Sequence, residues 1–239
     1  MQLEHDHSPI AIADRLGDGP SVNYLRDWVY GGIDGAVTTF AIVAGVIGAE
    51  LSASIVLILG LANLLADGFS MAAANYSGTK TEVDDYKRLH AMEERHIDLE
   101  PEGEREEIRQ IFQAKGYDGD DLETMVNLIT SRRQTWIDTM LAEEFGLATT
   151  LRSPMRAALT TFAAFVIVGA VPLLPYFVGL NSALLSLAMT AVTFFAIGSM
   201  KSRWSTQSWF WSGMETLAIG IIAAGIAWAI GMLLRGLIA

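Results

Sequence analysis

The sequence predicts an all-α membrane protein, with five transmembrane helices and a helical cytoplasmic domain inserted between helices 2 and 3. Three observations carry this. No charged residue occurs in the 44 positions from Ala157 to Met200. Only Glu215 is charged between Trp204 and Leu234, and only Asp34 and Glu50 between Trp28 and Ala66. By contrast, 29 charges, 11 basic and 18 acidic, fall between Ser77 and Arg156. A bilayer core about 30 Å thick takes about 20 apolar residues per helix, so the apolar tracts supply the spans and the charged stretch a water-exposed domain.

Taken in order, residues 1–22 read as a loose polar arm, without the basic and apolar regions of a signal peptide. Residues 23–76 hold the first two spans, about 28–49 and 53–75, parted at Gly48-Ala49-Glu50-Leu51-Ser52. Residues 77–155 form the insert. Its first helix continues span 2 to about Asp98, since neither Gly nor Pro follows Gly78 until Pro101. A second helix covers Glu102 to Lys115. Asp120 with Glu123, and Ser131 with Gln134, have capping-box spacing for a third and a fourth helix, the last ending near Gly146. Residues 156–239 hold spans 3 (about 156–177), 4 (about 181–200) and 5 (about 213–234), broken at Val171-Pro172-Leu173-Leu174-Pro175 and after Lys201.

Orientation follows from Lys and Arg, which favour the cytoplasmic side. With the insert cytoplasmic, the arm and the loop between spans 4 and 5 are cytoplasmic too, and only Arg235 of the 16 basic residues lies outside. The C-terminus is then external. Composition also excludes whole classes. The absence of cysteine rules out disulfides, thiolate metal sites and cysteine nucleophiles. A net charge of −11 without a basic cluster argues against nucleic acid. Asp118, Asp120 and Asp121 lack the 12-residue calcium-loop spacing and suit turn and cap chemistry.

Ionisable residues inside a bilayer are costly and usually functional. Asp34 lies about six residues, roughly 9 Å, into span 1, and Asp67 about eight, roughly 12 Å, before span 2 leaves on the same side. Two carboxylates on antiparallel neighbours thus reach similar depth. Asp27 and Thr38 share the face of Asp34; Asn63, Met71 and Asn75 share that of Asp67. Hard carboxylates beside one thioether suit a borderline divalent ion such as Fe²⁺ or Mn²⁺. The competing reading is that the polar residues join helices and Met71 is packing. Gly31, Gly32 and Gly35 admit a close helix, consistent with an oligomer interface. Glu215 either snorkels or contributes, and Glu50 is solvated.

The insert offers a second constellation. Glu93 and His96 form the Glu-x-x-His spacing of carboxylate-bridged metal sites. Glu104 with Glu107, and Met140 with Glu144, place further ligands on two more helices. Solvated charged faces are the alternative for any one pair. His5 and His7, in Glu-His-Asp-His, are read as part of the flexible arm.

The segments Arg26-Asp27-Trp28-Val29-Tyr30-Gly31-Gly32-Ile33-Asp34-Gly35 and Asp67-Gly68-Phe69-Ser70-Met71, with the insert that follows, resemble the vacuolar iron transporter family over about residues 23–239. The resemblance implies a homodimer with the ion path between subunits. It also implies proton-coupled export of Fe²⁺, or Mn²⁺, from the cytoplasm, and a cytoplasmic domain that gathers metal. By position, Asp27, Asp34 and Met71 match path residues, and Glu93, Glu104, Glu107, Met140 and Glu144 match metal-binding positions. His96 stands where plant members have glutamate, Leu141 where a second methionine is found, and Asn63 where a path glutamate is found, with Asp67 one turn along to replace its charge. The ion is cargo and bound group, with no organic cofactor; protons, the bilayer and a second subunit are the partners. The span-2 motif favours a bacterial plasma membrane. The rival reading is a membrane-anchored di-iron ferroxidase of ferritin type, which normally needs a second Glu-x-x-His; oxygen consumption with Fe²⁺ separates the two.

Overall fold

A computed structural model describes residues 6–17, 22–148 and 150–238; His5 lies outside them. All regular elements among the described residues are helical, and five helices are long and apolar enough to cross a membrane. The chain divides into two compact units, Met1–Val22 with Thr79–Ser153, and Asn23–Gly78 with Pro154–Ala239. The arm, expected to be loose throughout, contains a short helix α1 (Pro9–Gly17).

In the membrane unit, α2 (Leu25–Gly48) is central. It packs on α7 (Pro154–Gly169), α9 (Ala183–Lys201) and α10 (Trp209–Ile238). Its glycines explain the closest of these contacts. A Cβ on Gly31 would lie 2.3 Å from the Thr161 carbonyl oxygen, and one on Gly35 2.4 Å from that of Phe165. These glycines therefore admit α7 of the same chain, which corrects their expected use at an oligomer interface. The membrane part of α3 (Ala53–Leu99) joins through Leu64, buried with Val43, Phe165 and Leu173.

Span 3 is not one straight helix. Pro172 has no N–H to donate, so after Gly169 the chain passes through a 3₁₀ turn (Val171–Leu173) into a short α8 (Leu174–Phe177). The Pro172 carbonyl accepts the Ser186 hydroxyl at 2.7 Å. Ser182 caps α9, accepting from the Leu185 N–H at 3.3 Å. Glu50 is exposed, as expected, and pairs with Arg235 at the opposite end of α2 from Arg26.

The insert is built from the end of α3, which runs unbroken for 47 residues, and from α4 (Pro101–Ala114), α5 (Gly119–Thr130) and α6 (Arg133–Glu143). Leu89, Ile97, Ile108, Val126, Trp136 and Ile137 close its core. Neither expected capping box forms. Asp118 takes the N-cap position of α5 without a side-chain cap bond, leaving Asp120 and Asp121 in the first turn, where the helix dipole favours acids. Ser131 donates back to the Leu128 carbonyl at 2.7 Å, and Arg132 takes the N-cap position of α6. That helix ends at Glu143, short of Gly146.

Candidate functional site

The membrane unit aligns polar residues along the seam between α2 and α3. The helices are antiparallel, so residue numbers rise on one as they fall on the other, and three levels result. At the first, Asn75 Nδ2 donates to Asp27 Oδ1 at 2.8 Å and to Thr161 Oγ1 at 2.7 Å. Two turns further along α2, Asp34 and Asp67 lie close enough for their charges to interact. One turn beyond, Asn63 Nδ2 donates to Thr38 Oγ1 at 3.2 Å, and Thr38 donates to the Asp34 carbonyl at 2.8 Å.

These levels differ in access. Asp27 is 2% exposed and closed in by three helices. Asp34 is half-buried and Asp67 exposed, on the flank of α3 that also carries half-buried Asn63 and exposed Ser70. Met71 is half-buried against the apolar cluster of Phe40, Leu64 and Phe165. The structure thus joins Asp34 with Asp67, ties Asn63 to Thr38, and places Asp27 in a separate buried knot. Thr161, part of that knot, gave no signal in the sequence, because threonine in an apolar helix is ordinary and its partners lie far away in the chain. Glu215 is exposed, 3.7 Å from Lys201.

In the insert, a carboxylate takes a core position on two helices. Glu93 falls between Leu89 and Ile97 on the buried stripe of α3, and Glu104 lies one turn before Ile108 on α4. They are 1% and 5% exposed, and Oε2 of each has no hydrogen-bond partner among the described residues. Burial, reinforced by the charges of Glu104, Glu144 and Glu107 and by its hydrogen bond with Glu104, pushes the Glu93 carboxyl up to about 7. Burial, followed by the charge of Glu107, raises Glu104 against the opposing effect of Glu93 and His96. Glu144, itself exposed, is raised by desolvation and by Glu107 and Glu104.

His96 Nδ1 is 3.4 Å from Glu104 Oε1. Five of the six expected ligands, Glu93, His96, Glu104, Glu107 and Glu144, therefore fall within one another's electrostatic reach. The sixth, Met140, is fully buried with Trp136, Ile137 and Leu141 in the apolar core. Among the described residues no three His, Asp or Glu side chains converge closely enough to hold an ion as they stand. The cluster consists of mutually repelling oxygens with a nitrogen beside them, a donor set that a divalent cation would neutralise.

Comparison with known proteins identifies the family. The sequence profile of the VIT family matches residues 25–232. Vacuolar iron transporter 1 of Oryza sativa subsp. japonica is 34% identical over 210 residues, covering 85% of this chain and 82% of that protein. The vacuolar iron transporter of Toxoplasma gondii is 33% identical over 229 residues (90% and 76%), and vacuolar iron transporter 1 of Arabidopsis thaliana 31% over 215 (88% and 86%). With five membrane-length helices and a match across most of its length, the chain belongs to the VIT family.

Proposed function

We propose that the protein is a secondary transporter that exports Fe²⁺, or Mn²⁺, from the cytoplasm in exchange for protons. One observation carries this reading: the hydrogen bonds of Asn75 to Asp27 and of Asn63 to Thr38 set the register of two antiparallel membrane-spanning helices, which brings Asp34 and Asp67 to one level between them. Proton and metal compete for the same carboxylate lone pairs. Protonation from the far side releases the ion, and deprotonation toward the cytoplasm resets the pair. The insert, with the arm on the cytoplasmic side and the C-terminus outside, gathers the ion through Glu93, His96, Glu104, Glu107, Met140 and Glu144. Asp67 supplies the charge that Asn63 lacks, Met71 adds a soft donor, and Asp27 begins the acid face of α2.

The functional unit is a homodimer. An ionisable side chain on a membrane-spanning face avoids lipid, and Asp67 lies exposed on the flank of α3 that carries Ser70, so a second copy covers that flank and encloses the path. The relatives are named for iron transport, and the profile match places this chain among them. Asp34→Asn in proteoliposomes is expected to abolish Fe²⁺ uptake driven by a pH gradient while the chain remains folded. Wild-type uptake by that variant would remove Asp34 from the mechanism.

A further inference from the structure

A groove of about 680 Å³ opens in the membrane unit between the start of α2 and the end of α9. Arg26 and Lys201 line it, with Tyr30 and Trp204 beside them and Val29 and Ile33 deeper in. The membrane unit has only five basic residues, Arg26, Arg156, Lys201, Arg203 and Arg235, so two of them in one groove is a local concentration of charge. At about 100° per residue, these α2 positions lie roughly a third of a turn from the face carrying Asp27 and Asp34. The groove is therefore separate from the carboxylate seam.

We infer that this groove binds the headgroup and upper acyl chain of an anionic phospholipid. Charge complementarity selects the occupant. The Arg26 guanidinium sits 5.5 Å from the Tyr30 ring centroid and has no carboxylate in ion-pair range among the described residues. Lys201 has Glu215 only at 3.7 Å, with both side chains part-exposed, leaving its ammonium free to take a second oxygen. Basic pockets between membrane helices on the cytoplasmic side hold anionic headgroups in this way. From Arg26 to Ile33 the groove descends two helical turns, roughly 10 Å, from charge to aliphatic carbon, matching the change from phosphodiester to acyl chain. Tyr30 and Trp204, both exposed, occupy the interfacial depth that such rings prefer.

The test is native mass spectrometry of the full-length chain released from detergent containing equal amounts of phosphatidylglycerol and phosphatidylcholine. Phosphatidylglycerol is expected to be retained preferentially. The double variant Arg26→Gln/Lys201→Gln should weaken that retention by about tenfold or more, as loss of two cations requires. Arg235→Gln, outside the groove, should leave it unchanged. Equal retention of the two lipids by the wild type, undiminished phosphatidylglycerol on the double variant, or displacement of the lipid by glycerol phosphate alone would each overturn the proposal.

Discussion

Glu93→Gln tests whether the insert's core has been given up in part to hold charge. A carboxyl moved from its ordinary 4.5 to about 7 costs the folded insert about 3 kcal/mol when ionised. Because the folded value is the higher one, the Glu93 contribution is fully present below pH 4.5 and is lost as pH rises through 7. Glutamine fills the same space and donates to Glu104 as the protonated acid does, but never ionises. In chelated buffer at pH 8 the variant should therefore open less often, and amides of α4 and α6 in the full chain should exchange about 100-fold more slowly than in the wild type. At pH 5 the gap should shrink to roughly fourfold; comparing the two proteins at one pH cancels the intrinsic exchange rate. Mn²⁺ at pH 8 should then slow exchange in the wild type, by binding the folded form, and have much less effect on the variant. Equal or faster exchange in the variant at pH 8 would show that Glu93 carries no buried charge, and the reading of this cluster would fail.

Two further perturbations probe the membrane unit. Asn75→Leu removes the amide that bridges Asp27 and Thr161; losing a donor to a buried carboxylate should lower stability by about 1–3 kcal/mol, read as a lower melting temperature in detergent. Gly35→Ala forces a Cβ to 2.4 Å from the Phe165 carbonyl oxygen, whereas Gly225→Ala meets nothing within 4 Å. The first should abolish the monodisperse peak in size-exclusion chromatography and the second should leave it intact.

The five spans were legible because lipid imposes a simple rule, about 20 apolar residues per helix, and charge-free tracts announce it. The helix running from span 2 into the insert was legible for a related reason, since nothing between Gly78 and Pro101 interrupts it. Local chemistry was harder to read. Capping boxes depend on where a helix starts to within one residue, and Gly119, at φ +55°, opens α5 one position before Asp120. Gly31 and Gly35 announced a close helix without saying whose, because an α7 in the same chain and a helix of a second subunit demand the same missing Cβ.

The candidate sites divide in the same way. Equal depth of Asp34 and Asp67 follows from counting residues along two antiparallel helices, so spacing alone could find it. Asp27 shares that face, yet it lies buried with Asn75 and Thr161, and no helical period marks the third helix that closes over it. In the insert the Glu-x-x-His spacing found Glu93 and His96, but the sharper signal was Glu93's place between Leu89 and Ile97, where the 3.6-residue period asks for a hydrophobe. A solvated acidic pair puts its carboxylates on the polar face of a helix; Glu93 and Glu104 sit on the apolar one. Water alone gives no reason for charge there, so two buried carboxylates with unpartnered oxygens argue for a cation, and Met140, fully enclosed one turn before Glu144, must turn out of the core if its sulfur is to join them.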